Sequence, residues 1–175
     1  RVDRRQRQMC IRDSSNVAGL GLAWSFETGT NRGHETTPIV VDGMMFISAP
    51  WSVVFALNPI TGEKIWSFDP QADKAWARNA CCDVVNRGVA VWEDQVIIAT
   101  IDGRLISLNK NSGEVNWDVL TIDKSKPYTI TGAPRIIDGK IIIGNGGGEY
   151  GVRGYISAYD LSLIHISEPT RRRGI

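Results

Sequence analysis

Two adjacent cysteines, Cys81 and Cys82, are the residues of this sequence best suited to redox chemistry. A disulfide usually joins Cα atoms roughly 4.4–6.8 Å apart, whereas neighbouring Cα atoms across a trans peptide lie about 3.8 Å apart. A bridge between neighbours is therefore strained, and strained geometry tends to be kept at functional sites. The alternative is that both are reduced, buried thiols that pack as small hydrophobes. The pair alone leaves both interpretations open.

Carboxylates and glycines supply the other residues that could form a site. Glu149 follows three glycines in the segment 144–151, and Glu35 follows Gly33 and His34. Extended loops of this kind are typical of ligand sites. Glycines in long loops also serve only as turn formers, and no helix follows the segment to make a phosphate loop. We predict that His34 is an ordinary loop histidine, because it has no metal-ligand partner at useful spacing.

The composition is that of one ordinary globular domain, with 175 residues, 42% of them hydrophobic and 22% charged. No apolar run is long enough to span a bilayer. Residues 1–14 and 162–175 hold eight of the 20 Lys and Arg and three of the 19 Asp and Glu, which leaves 12 basic and 16 acidic residues between them. The body is therefore mildly acidic and gives no case for nucleic acid as a partner.

The two ends, 1–14 and 162–175, lack the periodicity of the rest and resemble translated sequencing-adaptor read-through. We expect non-native tails there and leave them, with Cys10 and His165, out of the fold reasoning. The alternative for the first end is a basic targeting region, although no apolar stretch follows it. The domain is thus predicted to be a partial one over residues 15–161.

A repeat of 51 residues organises this domain. ALNPITGEKIW at 56–66 aligns with SLNKNSGEVNW at 107–117, and the same offset carries Asn109 onto Asp160. Each period predicts short, evenly spaced strands: Thr37–Val41, Met44–Ser48, Val53–Leu57 and Lys64–Phe68, then Gly88–Trp92, Gln95–Ala99, Arg104–Leu108 and Val115–Val119, then Ala133–Ile137, Lys140–Ile143 and Gly154–Tyr159.

Four strands in roughly 40–50 residues with a recurring tryptophan are typical of propeller blades. We therefore predict an all-β fold, a β-propeller with tryptophan-docking blades, of which about two and a half four-stranded blades are present. Trp24 is expected to end the outer strand of a preceding blade. Because a closed propeller typically needs four to eight blades, we expect the chain to be a fragment.

Loop lengths assign the candidate residues to one face of the propeller. In an antiparallel meander of strands A to D, the B–C and D–A connections emerge on the same face. The D–A loop from Trp66 to Val89 is six residues longer than the equivalent loop from Trp117 to Pro134, and it contains the cysteines. The third B–C loop, which carries Glu149, has also gained six residues. The unusual loops are therefore predicted to open at one mouth.

Four segments, in this order and between the tryptophan repeats, resemble the pyrroloquinoline quinone (PQQ)-dependent alcohol dehydrogenases: Gly-His-Glu, Ala-Cys-Cys-Asp-Val-Val-Asn-Arg-Gly, Thr-Gly-Ala-Pro and Gly-Asn-Gly-Gly-Gly-Glu-Tyr-Gly-Val-Arg-Gly. The likeness covers residues 19–160 and is greatest to the quinohaemoprotein branch, in which a cytochrome c domain follows the propeller. It implies an eight-bladed parent, PQQ and Ca²⁺ as cofactors, and a haem c domain beyond this chain if the parent belongs to that branch.

The resemblance also assigns roles to individual residues. It implies that Cys81 and Cys82 form a vicinal disulfide lying flat against PQQ, and that Glu149 is a ligand of Ca²⁺, a cation that prefers oxygen. The remaining cofactor-binding residues that it implies are Glu35, Val85, Arg87, Thr131, Gly146, Gly147 and Gly148. Gly146 departs from the family pattern, because many relatives have Ser there.

The implied reaction is the oxidation of a primary alcohol to an aldehyde, with hydride removal to the quinone. Calcium would act as a Lewis acid, an aspartate would take the hydroxyl proton, and a cytochrome c-type acceptor would receive the electrons. No catalytic residue of this kind is expected in the chain, so the parent is predicted to be an enzyme and this polypeptide alone inactive. The disulfide and the calcium ion that the resemblance implies favour a periplasmic location for the parent protein. Membrane association is left open.

Two other functions compete with this interpretation. A non-catalytic propeller scaffold of the bacterial envelope would share the fold, but it has no reason to keep Cys81, Cys82, Glu35 and Glu149 on one face. A quinoprotein sugar dehydrogenase would share the blades, but it usually lacks this pair of cysteines.

Overall fold

A computed structural model describes Gly19 and residues 21–162 of the protein. The described part contains eleven strands in three antiparallel sheets, joined by loops and short 3-10 turns. No helix within it has the length and apolar character that crossing a membrane requires. The predictions for residues 1–14, for Cys10 and for His165 concern positions outside the described residues.

Each sheet is one blade whose strands pair in chain order. The first two sheets have four strands each and the third has three, so the predicted all-β propeller architecture is confirmed. The strands of the three blades are β1 Ile39–Val41, β2 Met44–Ser48, β3 Val54–Leu57 and β4 Lys64–Phe68; β5 Ala90–Trp92, β6 Gln95–Ala99, β7 Arg104–Asn109 and β8 Val115–Leu120; and β9 Arg135–Ile137, β10 Lys140–Gly144 and β11 Ile156–Asp160.

The core lies between the blades rather than inside any one of them. Strand β7 is buried on both of its faces, whereas the outer strand β8 alternates between exposed and buried residues. Residues of β6 and β7 pack on both sides, with Ile98 and Ile106 facing the first blade and Ile97 and Leu105 facing the third. This explains why the middle strands are continuous apolar runs, as expected for strands covered on both faces.

Tryptophans on the outer strands dock each blade onto the next. The Trp66 side chain lies over Gly113 in the second blade and donates its indole N–H to the carbonyl of Lys110 at 2.9 Å. Trp24 repeats this contact over Gly62, with its indole N–H 3.2 Å from the carbonyl of Pro59. The glycine of each repeated turn is therefore a docking surface as well as a turn residue.

The innermost strands begin later than the sequence predicts. β1 starts at Ile39 instead of Thr37, β5 at Ala90 instead of Gly88, and β9 at Arg135 instead of Ala133. The residue immediately before β1 and before β9 is a proline, which has no N–H to donate to a ladder, whereas β5 follows Gly88, which has a positive φ of 131°. Trp24 docks as an outer-strand tryptophan should, but residues 21–28 form no strand. The preceding blade is therefore represented by its docking contact alone.

A single methyl group added under the Trp66 ring should weaken the blade contact. Gly113 has φ 75°, and a Cβ there would lie 2.7 Å from the indole ring. Gly139 has a similar φ of 67° but nothing within 4 Å of the same atom. Gly139→Ala should therefore lower the free energy of unfolding only by the left-handed backbone penalty of about 1–2 kcal/mol. Gly113→Ala should lower it by about 1–3 kcal/mol more, because the added methyl group overpacks the blade contact. Urea unfolding of both variants checks the difference, and equal losses would contradict the docking role.

Candidate functional site

Arg87 is the meeting point of the loops that were predicted to open at one mouth. Its guanidinium donates from Nη1 to the hydroxyl of Thr131 at 2.6 Å, and its Nη2 lies 2.8 Å from Glu35 Oε2. The backbone is tied in the same way, because Arg87 N–H donates to the Thr131 carbonyl and the Arg87 carbonyl accepts from Thr37 N–H. Loops from three successive blades therefore converge on one residue.

The charge on Arg87 is open to a ligand. The side chains of Arg87 and Glu35 are 46% and 42% exposed, and an ion pair at that exposure contributes only about 0–1 kcal/mol to stability. Two contacts use part of the five N–H donors of a guanidinium. The remaining donors form a fixed fork that suits a carboxylate or a quinone oxygen.

A cavity of about 410 Å³ opens beside this fork. Arg87, Thr131 and Gly146, all three predicted to bind a cofactor, line it together with Arg135 and Asn145. Its volume is within the range of small-molecule sites. Arg135 and Asn145 were not singled out from the sequence, because neither departs from the residues expected at the start of a strand or in a glycine-rich loop.

Cys81 and Cys82 are exposed thiols, with their Sγ atoms 2.7 Å apart and no disulfide between them. The alternative of buried cysteines that serve as small hydrophobes is therefore wrong about burial. Hydrogen bonding to Cys82 and to Glu149 raises the pKa of the Cys81 thiol to about 11. The Glu149 carboxylate therefore acts on the Cys81 thiol. The vicinal disulfide itself stays a prediction.

Two left-handed glycines shape the loop that carries Glu149. Gly147 at φ 113° and Gly151 at φ 78° flank a 3-10 turn over Gly148–Tyr150. A side chain could not replace Gly147, because its Cβ would lie 2.5 Å from the carbonyl oxygen of Pro127. The Tyr150 hydroxyl donates to the Ala80 carbonyl at 3.4 Å, which ties this loop to the cysteine loop.

The long cysteine loop is anchored at its start by a buried carboxylate. Asp102, 4% exposed, accepts from the Asp73 N–H at 3.2 Å and pairs with Arg104, whose Nη2 donates to the Pro70 carbonyl at 2.7 Å. Burial raises the pKa of Asp102, but hydrogen bonds from Thr100 and Asp73 and the charges of Arg104 and Lys124 outweigh it, so the pKa lies below the usual value. The carboxylate therefore stays charged.

A second anchor holds the loop in its middle. Trp76 in the 3-10 turn Lys74–Asn79 is buried and donates its indole N–H to the carbonyl of Tyr128 at 2.7 Å. With its start fixed on the second blade and its middle fixed on the loop that follows that blade, the extended loop presents the cysteines instead of forming a free flap.

Two of the predicted residues are less suited to their roles than the others. Val85 is buried at 5% exposure, so only a small part of its surface is open to a ligand. Glu149 is an oxygen donor of the kind that Ca²⁺ takes, but within residues 21–162 no three His, Cys, Asp or Glu side chains gather as a metal cluster would require. Any metal at Glu149 therefore needs further ligands from elsewhere.

His34 contacts the Thr28 hydroxyl at 2.8 Å through Nε2. It lies beside a separate cavity of about 270 Å³ that is lined largely by apolar side chains, including Trp24 and Phe26. The arrangement is that of a loop histidine, as predicted.

Comparisons with known proteins agree with this geometry. The family described as "PQQ: Glucose/ethanol/alcohol dehydrogenase, beta-propeller domain" matches residues 11–162. The chain is 56% identical over 146 residues to the 1-butanol dehydrogenase (cytochrome c) of Thauera butanivorans, covering 83% of this chain and 21% of that protein. The chain thus spans about a fifth of the length of the curated relatives it matches.

Solved structures show the same likeness. The crystal structure of the quinohemoprotein alcohol dehydrogenase from Comamonas testosteroni is similar with a TM-score of 0.81 and 54% identity, over 85% of this chain and 22% of that one. A europium-containing methanol dehydrogenase also gives a TM-score of 0.81, at 40% identity, over 86% of this chain and 27% of that one.

Substitution by serine should have a small effect on stability at Gly146 and a large one at the adjacent Gly147. Gly146 is exposed and has an ordinary φ, and its added Cβ would lie 3.0 Å from the Thr129 hydroxyl, a contact relieved by a shift of a few tenths of an ångström. Gly146→Ser should therefore change the free energy of unfolding by less than about 1 kcal/mol, whereas Gly147→Ser should cost about 2–4 kcal/mol through backbone strain and a clash with the backbone. Chemical unfolding of the two variants measures this, and similar losses would refute the loop geometry.

Proposed function

Because the chain belongs to the family of PQQ-dependent alcohol dehydrogenase β-propellers, we propose that it is a segment of an enzyme that oxidises primary alcohols to aldehydes. The observation that carries this proposal is the convergence of Arg87, Glu35 and Thr131 beside a cavity of about 410 Å³. A fixed cationic fork next to an open cavity suits a flat, anionic cofactor. Bound PQQ would supply the two-electron acceptor for the alcohol.

The residues of this chain would hold and orient that cofactor. Arg87 would bind the carboxylates and quinone oxygens on the rim of the cofactor, while Glu35 and Thr131 keep the guanidinium in place. Gly146, Gly147 and Gly148 would let the backbone approach closely, since none of the three carries a side chain. Val85 would contribute a small apolar contact from its exposed edge.

The cysteine pair and Glu149 would form the second part of the site. We infer that Cys81 and Cys82 are bridged in the mature protein and pack flat on the ring system. Oxidation of the two thiols to the disulfide, with two protons released and two electrons passed to an oxidant of the compartment, would remove the Cys81 S–H group and leave the Glu149 carboxylate available to Ca²⁺. Further ligands would come from later parts of the protein. Alkylation before and after reduction tests the bridge: two thiols at 81 and 82 reactive without reductant would contradict it.

The electron acceptor and the location follow from chemistry and from relatives. The name of the Thauera butanivorans protein specifies cytochrome c, which supports a cytochrome c-type acceptor, and the quinohemoprotein relatives support a haem c domain further along the chain. A vicinal disulfide requires an oxidising compartment, which supports the periplasm, with membrane association still open.

The envelope scaffold and the sugar dehydrogenase are less well supported. A scaffold has no use for exposed cysteines against a carboxylate or for a half-exposed arginine beside a cavity. A sugar dehydrogenase falls under the same family description, but the named relatives at 53–56% identity are alcohol dehydrogenases. We therefore retain an alcohol as the substrate.

The test uses the full-length protein that contains this chain, prepared without cofactor and then given PQQ and Ca²⁺. We expect PQQ binding and oxidation of primary alcohols with an artificial electron acceptor, lost on chelation and restored by Ca²⁺. Arg87→Gln should weaken PQQ binding by about ten- to hundredfold, the range expected for losing hydrogen bonds to a charged group.

Lys140→Gln is the matched control for this variant. Lys140 begins β10 beside the turn at Asp138 and Gly139, at the opposite end of the blade from the cavity mouth, and the substitution removes the same charge there. It should leave PQQ binding unchanged. Failure of the unmodified protein to bind PQQ, or equal effects of the two substitutions, would overturn the proposal.

A further inference from the structure

Asn86, which precedes Arg87, is one of the most enclosed polar residues in the described part of the chain. It is 1% exposed. Its Nδ2 donates to Ser52 Oγ at 3.1 Å and to the carbonyl of Ala99 at 2.9 Å, and its Oδ1 accepts from Gly88 N–H at 3.0 Å. A buried amide whose oxygen and nitrogen are both hydrogen-bonded fixes its own backbone, because any shift leaves buried polar groups unpaired.

The partners of Asn86 belong to two different blades. Ser52 lies in the connection between β2 and β3 of the first blade, whereas Ala99 ends β6 of the second. The carbonyl of Asn86 also accepts from the Ser48 hydroxyl at 3.4 Å. The amide thus locks the loop to both blades at the position just before Arg87.

The turn that supplies Ser52 has an unusual backbone. Trp51 and Ser52 adopt φ values of 66° and 62°, two successive non-glycine residues in the left-handed region. This backbone conformation is unfavourable for residues other than glycine, and such strain concentrates at functional sites. The strained turn makes two hydrogen bonds to the loop. Ser52 Oγ accepts from Asn86 Nδ2, and Trp51 N–H donates to the Val84 carbonyl at 2.9 Å.

These contacts bracket the residues that face the proposed cofactor. Val84 and Asn86 are held on either side of Val85, and Arg87 follows directly. Glu35 and Thr131 hold the guanidinium at its exposed end, but the Arg87–Glu35 pair is nearly half exposed and exposed pairs are weak. The buried Asn86 contacts support the backbone of Arg87 from beneath and so reinforce that geometry.

We propose that Asn86, clamped by the Trp51–Ser52 turn, is a positioning residue that fixes Arg87 for an anionic planar cofactor. The inference rests on the proposed function, because it assigns Asn86 a role in binding PQQ without contact to it. Loss of the clamp leaves Arg87 chemically unchanged but free to leave the geometry in which Glu35 and Thr131 hold it. The expected consequence is weaker cofactor binding that depends on the presence of Arg87.

The test compares variants of the full-length protein, prepared without cofactor. PQQ dissociation constants are measured by fluorescence quenching and stability by urea unfolding. Asn86→Ala and the milder Ser52→Ala should each weaken PQQ binding, Asn86→Ala by about tenfold, in the middle of the range for coupled neighbours. Ser107→Ala is the control, because Ser107 is a fully buried serine that hydrogen-bonds to Gln95 and Asn116 in the second blade, away from Arg87.

A double-mutant cycle separates positioning from general destabilisation. In the Arg87→Gln background, Ser52→Ala and Asn86→Ala should produce no further loss of PQQ affinity, because the group they position is gone. Additive losses, or an equal loss of affinity in Ser107→Ala, would overturn the inference and leave the proposed function intact. If Asn86→Ala fails to fold, Ser52→Ala decides the matter in the same way. Absence of PQQ binding by the unmodified protein would refute both.

Discussion

One arginine joins three consecutive blades, and the candidate site depends on that junction. The peptide of Arg87 hydrogen-bonds to Thr37 on one side and to Thr131 on the other, while its side chain reaches Glu35 and the Thr131 hydroxyl. Propeller blades are held together mainly by apolar faces, which fix distance and tilt but do not select a chemical group. The polar junction around Arg87 adds chemical selectivity for a ligand, because it orients the guanidinium toward an open cavity.

The site is an elaboration of two loops on an otherwise repeated frame. The frame supplies the same docking contact at two successive positions, Trp24 and Trp66: an indole over a glycine and an indole N–H bonded to a carbonyl. The added residues fall in the loop after β4 and in the loop after β10, and each is anchored by buried groups: Asp102 and Trp76 for the first, the Gly147 turn for the second. Loops anchored in this way can present exposed thiols and a carboxylate at fixed positions.

The sequence was sufficient to predict the repeated blades and the face of the propeller on which the loops open. The 51-residue offset predicted the strands to within one or two residues because turn glycines and the docking tryptophans recur with the strands they end. The predicted starts of four strands were two residues early: Pro38 and Pro134 cannot donate to a ladder, and Gly88 and Gly154 precede the starts of β5 and β11. The contacts beneath the site could not be predicted: Asn86 and Ser52 are 34 residues apart, and no pattern in the sequence shows that a turn at Trp51 would adopt a left-handed backbone.

The most direct measurement is a crystal structure of the full-length protein grown with PQQ and Ca²⁺. The account predicts the planar cofactor at the mouth of the propeller, with its carboxylates on Arg87, bridged sulfurs of Cys81 and Cys82 against its ring, and Glu149 on the metal. A cofactor bound elsewhere, with Arg87 and Glu35 paired in open solvent and Glu149 away from any metal, would contradict it.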